Sequence, residues 1–157
     1  DKIIESGCKY IIIRTSWIYS PYSPNFVTYI IDKAINNEDV YGTDNIISSP
    51  TSAVNLVSAI DNLIHRNSEN NIGIYHFTDS GCCTRFDMIS FIYSYLNSKG
   101  LVSPQPDSFW KSEVKRPFCS VMSKESFKRI FGITPPSWME LLKECIEEYQ
   151  HIKNMAD

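Results

Sequence analysis

Ile11-Ile12-Ile13-Arg14-Thr15-Ser16-Trp17-Ile18-Tyr19 is the stretch on which the fold turns. An apolar run follows Gly7 and gives way at once to an arginine, two hydroxyls, a tryptophan and a tyrosine. A short apolar run after a glycine predicts a buried strand over residues 9–13. The chemistry-bearing residues then fall at its carboxyl end, where open α/β sheets bind ligands. Thr15 and Ser16 can hydrogen-bond a cofactor amide, and Trp17 can stack on a sugar or base. The same residues also suit a strand tip whose tryptophan packs on a neighbouring helix, and their chemistry alone leaves both readings open.

Outward from this strand, strand and helix patterns alternate. Residues 72–77 predict a second strand, followed by the loop 78–81, and residues 40–43 a weaker one. Phe26, Val27, Ile30, Ile31, Ala34 and Ile35 make one helical face, closed by Asn36-Asn37. Ala53, Leu56, Val57, Ile60, Leu63 and Ile64 repeat at three and four, the strongest period in the chain. Ser49-Pro50 ahead of them reads as a cap with proline at the first helical position, and such a helix start also attracts anions. A third helix carries Phe86, Ile89, Ile92, Tyr95 and Leu96, with Thr84 and Asp87 as its starting box and Gly100 as its end. Ser123 is expected to cap a short helix that Gly132 stops. Ser137 and Glu140 form an S-x-x-E capping box before a helix turning Trp138, Leu141, Leu142, Cys145, Ile146 and Tyr149 inward. Residues 101–117 read as an extended, proline-containing segment.

Strands separated by helices imply a parallel α/β arrangement. Two convincing core strands are too few for a parallel sheet covered on both faces. The expected architecture is therefore the last parallel strands of a Rossmann-like sheet plus a mainly helical lobe, an incomplete fold. No linker divides residues 1–157, so one segment is expected. Asp1 to Ser6 resemble the last turns of a helix stopped by Gly7, which predicts that sequence precedes them.

Composition narrows the function. Of 157 residues, 43% are hydrophobic and 21% charged, the balance of a globular domain. The net charge of −3 lacks the basic surplus usual in nucleic-acid binders. No apolar run approaches the roughly 20 residues that span a bilayer, and the first residues lack the order of a signal peptide. Five cysteines, with no C-x-x-C, suggest reduced thiols in a cytoplasm and no zinc site. His65, His76 and His151 stand at no metal-ligand or triad spacing and read as structural. Lys115-Arg116-Pro117 is the one basic spot. An arginine followed by proline can offer a planar fork to a phosphate, or stand as a solvated surface charge.

Six pieces in one order, "RTSWIY", "NFV", "SSPTSAVNL", "GIYHFTDSG", "RPFCSVMS" and "FGITPPSW", resemble the carboxy-terminal half of dTDP-4-dehydrorhamnose reductases, of the extended short-chain dehydrogenase/reductase type. The resemblance covers essentially the whole chain. It departs at Ser20, where the family has glycine, and at Ile46 and Ser48, where the family has glutamine and glycine. Met122 and Ser123 replace a leucine and an aspartate, which keeps size and capping.

The resemblance implies a soluble cytoplasmic oxidoreductase of dTDP-rhamnose biosynthesis. Hydride from NADPH or NADH reduces the C4 ketone of dTDP-4-dehydro-L-rhamnose. The family's catalytic Tyr and Lys, in Y-x-x-x-K, are expected upstream of Asp1, so no catalytic residue is assigned here and the chain alone is expected to be inactive and to hold no cofactor tightly. By motif, Trp17, Asn25, Phe26 and Arg116 would bind the substrate, Arg116 at its diphosphate, while Thr15 and Ser16 would lie near the nicotinamide. The implied partner is a dTDP-sugar, with no nucleic acid, no membrane and no metal, and with room for a homodimer of the full-length protein. The regulatory subunit of methionine adenosyltransferase resembles the same reductases and is the rival reading. A nucleotide-sugar epimerase or dehydratase is another, although those enzymes tend to carry asparagine at the position of Trp17.

Overall fold

The computed structural model describes residues 2–65, 71–110 and 116–156. In chain order the elements are α1 (Lys2–Glu5), β1 (Ile11–Arg14), β2 (Ile18–Tyr19), α2 (Phe26–Ile35), β3 (Val40–Thr43), β4 (Ile47–Ser48), β5 (Thr51–Ser52), α3 (Ala53–His65), β6 (Gly73–His76), α4 (Arg85–Tyr95), β7 (Val102–Gln105), a 3-10 turn (Asp107–Trp110), β8 (Cys119–Ser120), α5 (Glu125–Phe131) and α6 (Trp138–Ala156).

Among the described residues every strand pair is parallel. β1 lies beside β6 with Ile11 opposite Gly73 and Arg14 opposite His76. β3 pairs with β7, β2 with β5 and β4 with β8. Parallel partners need long crossovers, and here the intervening helices supply them. This is the mixed α/β class expected from the sequence. The partner of β3 is the difference: β7 lies in the segment read only as extended. Pro104 obscured it, because proline cannot donate to a ladder and is confined to sheet edges. Pro104 sits opposite Gly42, and β7 has β3 as its one strand neighbour among the described residues.

Two clusters make the core. The larger packs Val27, Ile31, Met88, Ile89, Ile92, Leu142 and Ile146 between α2, α4 and α6. The smaller gathers Ala59, Leu63, Phe77, Phe127 and Phe131 beside β6, with the Phe77 and Phe127 rings 4.9 Å apart. The larger cluster fixes β3, because Gly42 lets the strand approach α4. A Cβ there would stand 2.6 Å from the Phe86 Cα.

Caps fix several helix ends. Asn25 caps α2, and Thr84 and Asp87 form the expected reciprocal box on α4. Ser137 N–H donates to Glu140 Oε2 at 3.1 Å, while the Ser137 hydroxyl accepts Met139 N–H at 3.3 Å. Gly132 closes α5 in the left-handed conformation, φ 69°.

Four sequence expectations change. Ser49-Pro50 does not start α3; Thr51-Ser52 intervenes as β5, and Ser49 is buried with its carbonyl taken by Ser16. Lys124, with no side-chain cap bond, holds the cap position of α5, and Ser123, one residue earlier, accepts Glu125 N–H at 3.5 Å. Gly100 does not end α4. Leu96 and Asn97 do, Asn97 at φ 52°, while Gly100 admits the Glu38 carbonyl, 2.3 Å from where a Cβ would stand. The apolar stripe of α3 is only half covered: Leu63 is buried, but Val57 is 64% and Ile64 70% exposed. Periodicity marks which face is apolar, and a partner must be present to bury it.

Candidate functional site

The turn from β1 to β2 is clamped by hydroxyls. Thr15 Oγ1 donates to Thr51 Oγ1 at 2.9 Å, Thr51 Oγ1 to the Ser16 carbonyl at 2.6 Å, and Ser16 Oγ to the Ser49 carbonyl at 2.6 Å. Thr51 N–H reaches the Trp17 carbonyl at 3.1 Å. Held this way, Trp17 adopts φ 47°. The left-handed region is unfavourable for a bulky side chain, and such strain persists only where the surroundings over-determine it.

The clamp aims the half-buried Trp17 ring at Phe26, 6.1 Å between centroids. Phe26 opens α2, whose start is fixed by Asn25. The Asn25 Oδ1 accepts the N–H groups of Val27 and Thr28, and its Nδ2 donates to the carbonyls of Ser20 and Ser23. Its whole amide thus serves the turn and the helix. Arg85, first residue of α4, lies over the Phe26 ring at 5.3 Å.

A cavity of about 350 Å³ opens at this corner, within the usual size of small-molecule sites. Trp17, Thr43, Ile46, Ser48, Arg85, Asp107 and Arg116 are among its walls. Arg116 Nη1 donates to Asp107 Oδ1 at 3.3 Å. Arg85 stays largely exposed, yet partial burial, and then the charge of Arg116, push its pKa below the ordinary arginine value, with Asp107 acting the other way. The 3-10 turn that carries Asp107 is tied to the end of β3 by Trp110 Nε1 donating to Thr43 Oγ1 at 2.9 Å. A second cavity of about 340 Å³, walled by Phe26, Tyr29, Tyr41 and Trp110 among others, shares Thr43 and Arg85 with the first.

Of the sequence-predicted residues, Trp17 and Arg116 wall the first cavity and Phe26 the second. Thr15 and Ser16 lie in the clamp beneath Trp17, and Asn25 in the cap. Lys115 falls outside the described residues. Sequence reading missed Arg85, Thr43 and Asp107. The Thr84–Asp87 box was the available signal, since it places Arg85 on the first turn of a helix that follows a strand's carboxyl end.

The Tyr-x-x-x-Lys spacing recurs within the chain, at Tyr29/Lys33, Tyr95/Lys99 and Tyr149/Lys153. Lys33 pairs with Glu38, Tyr95 donates to Glu147, and Tyr149 and Lys153 both bind Asp32. None of these six residues walls the Trp17 cavity.

Beside the clamp, Asp79 is fully buried and accepts Ser52 N–H at 2.8 Å, the Tyr19 hydroxyl at 3.2 Å and Asn55 Nδ2 at 2.9 Å. Burial outweighs these donors and raises its pKa. All five cysteines are free thiols, with Cys145 pushed up to about 12 by burial. Among the described residues no acidic, histidine or cysteine cluster is arranged for a metal, and no helix is long and apolar enough to cross a membrane.

The model of the RmlD substrate binding domain matches residues 1–151. The chain belongs to the RmlD substrate-binding family. It is 24% identical to the dTDP-4-dehydrorhamnose reductase of Escherichia coli, over 94% of the chain and 52% of that protein. It is 28% identical to the spore coat polysaccharide biosynthesis protein SpsK of Bacillus subtilis, over 87% of the chain and 47% of SpsK. The crystal structure of the Bacillus anthracis dTDP-4-dehydrorhamnose reductase in complex with NADP superposes with a TM-score of 0.83 at 33% identity, covering 93% of this chain and 51% of that one. A Bacillus anthracis dTDP-glucose 4,6-dehydratase shares the fold alone, with a TM-score of 0.71 at 18% identity. The chain spans about half the length of these relatives.

Proposed function

We propose that this chain is the sugar-nucleotide-binding part of an NAD(P)H-dependent reductase that converts dTDP-4-dehydro-L-rhamnose to dTDP-L-rhamnose. The observation that carries the reading is the meeting of Trp17 and Arg116, remote in sequence, on one cavity of about 350 Å³. An aromatic wall suits the face of a sugar ring, and a guanidinium suits a diphosphate.

Family membership and the names of the relatives support the reaction class. A reduced nicotinamide supplies the hydride for the C4 ketone. The Thr15 and Ser16 hydroxyl protons are already donated within the chain, so their oxygens can only accept. That fits a carboxamide N–H and does not fit an anion. This supports the nicotinamide end for Thr15 and Ser16, and the charge of Arg116 supports the phosphate end for it.

This segment's share of catalysis is positioning. Trp17, fixed by its strained backbone, sets the sugar against the cofactor end, and Arg116 sets the depth of the nucleotide. Holding reactants in register replaces an encounter by a near-unimolecular step. The proton donor is assigned to a Y-x-x-x-K tyrosine outside this sequence. The uncovered apolar face of α3, with Val57 and Ile64 outermost, suits packing against a dinucleotide-binding half.

The test is an assay of residues 1–157 and of the intact gene product with NADPH and the dTDP-4-keto sugar. Oxidation of NADPH by the intact protein alone is the expected result. Turnover by residues 1–157 by themselves would overturn the division of labour, and inactivity of both would overturn the reaction assigned.

A further inference from the structure

We propose that Arg85 is a second anion-binding residue, closing with Arg116 on one diphosphate, and that Asp107 is a built-in counter-charge which the ligand displaces. The inference rests on the substrate class proposed above and adds a residue that neither the sequence motifs nor the family resemblance singled out.

Strand β4 supplies the geometry. On one side Ile47 lies opposite Cys119 of β8, with Ile47 N–H bonded to the Phe118 carbonyl at 2.8 Å, two residues after Arg116. On the other side Ser48 exchanges two backbone hydrogen bonds with Cys83, at 3.1 and 3.0 Å, two residues before Arg85. One two-residue strand thus brings two arginines from remote parts of the chain to a single cavity. Both wall it, and the charge of Arg116 acts on Arg85.

Their partners differ. Arg116 is paired with Asp107 at 3.3 Å. Among the described residues Arg85 has the Phe26 ring beneath it and no ion pair, a contact that orients a guanidinium and leaves its N–H fork open to an incoming oxygen. Two like charges on one partly enclosed cavity repel, and Asp107 relieves only part of that. A ligand with two adjacent phosphates matches both guanidiniums and relieves the rest. It also meets the Asp107 carboxylate as a like charge, so Asp107 opposes the anion for which it stands in.

The experiment is calorimetric titration of the intact protein with dTDP, with inorganic pyrophosphate and with thymidine. The proteins compared are the parent and the variants Arg85→Met, Arg85→Lys and Asp107→Asn. Methionine keeps the aliphatic packing on Phe26, and matching thermal melts would verify the fold. Arg85→Met should weaken dTDP and pyrophosphate binding by about tenfold or more, as loss of a charge-assisted contact does, and leave thymidine unchanged. Its salt dependence should also be shallower. Arg85→Lys should recover part of the loss, and Asp107→Asn should tighten both anions several-fold. Affinities for dTDP within twofold of the parent in Arg85→Met would overturn the role of Arg85 while leaving the sugar-nucleotide reading intact. Weaker anion binding in Asp107→Asn would overturn the displacement. Pyrophosphate binding that depends on Arg85, with no binding of dTDP, would keep the anion site and reject the nucleotide reading. No binding of either anion would reject both.

Discussion

The Tyr19 hydroxyl donates to Asp79 Oδ2 at 3.2 Å, and the same oxygen accepts Ser52 N–H at 2.8 Å. A single buried carboxylate therefore joins β2, which leaves the Trp17 turn, to β5 and the start of α3. Tyr19→Phe keeps the ring and removes the donor. A lost hydrogen bond to a charged group predicts a stability cost of about 1.5–3 kcal/mol, read as a shift of the urea midpoint at constant slope. Ligand affinity should fall with it, because β2 sets the exit of the Trp17 turn. An unchanged midpoint would show that Tyr19 is no anchor.

Asp79 also gives the protein a pH signature. Burial raises its pKa above the ordinary 3.8 despite three donors. An acid with a raised native pKa binds its proton more readily folded than unfolded. Its stabilising contribution is complete below the ordinary carboxylate range and disappears as pH rises through the native value. The unfolding free energy of the parent, less that of Asp79→Asn, should therefore fall as pH rises from about 4 to about 7. Urea titrations across that window would measure it. A difference that grows with pH would mean that the donors, with Lys124 beside them, outweigh burial.

Much of this was legible beforehand, for identifiable reasons. The strands β1 and β6 announced themselves through apolar runs, though not as partners, and the Thr84–Asp87 box through a spacing that a helix start satisfies. Pairing across long sequence separations was not legible. β7 was hidden by Pro104, and β5 by a Ser-Pro-Thr that reads equally well as a cap. The same limit governs the cavity. Trp17 and Arg116 stood out by residue type and motif, whereas Arg85 gains meaning only when β4 places it near Arg116. The Thr84–Asp87 box places Arg85 on a first helical turn, and the pairing through β4 is what sets it apart from a solvated charge there.

Trp17 separates backbone strain from side-chain contact. At φ 47° a non-glycine residue is disfavoured by about 1–2 kcal/mol. Trp17→Gly and Trp17→Ala both delete the ring, and glycine alone accepts the backbone without cost. The glycine variant should therefore be the more stable by about 1 kcal/mol in urea denaturation, a reversal of the usual ranking. Both should lose affinity for a dTDP-sugar to a similar degree, because the aromatic wall is gone from each. An alanine variant as stable as the glycine one would indicate that the turn relaxes out of the left-handed region once the ring is removed.

Asn25 divides a capping role from a binding role. The motif resemblance assigns it to the substrate, yet its amide makes four hydrogen bonds within the turn and α2. Asn25→Ala should cost about 1 kcal/mol, with an upper range near 2, through loss of the cap. Asn25→Asp keeps the acceptor for Val27 and Thr28 and adds a negative charge at the helix N-terminus, which favours it, but gives up the donors to Ser20 and Ser23. It should therefore restore most of the helix-capping stability. If Asn25 acts through α2, and so through Phe26 beside Trp17, ligand affinity should recover along with stability in Asn25→Asp. If the amide itself touches the sugar, affinity should stay low while stability returns. Parallel melts and titrations of the two variants decide it, and the four internal bonds predict joint recovery.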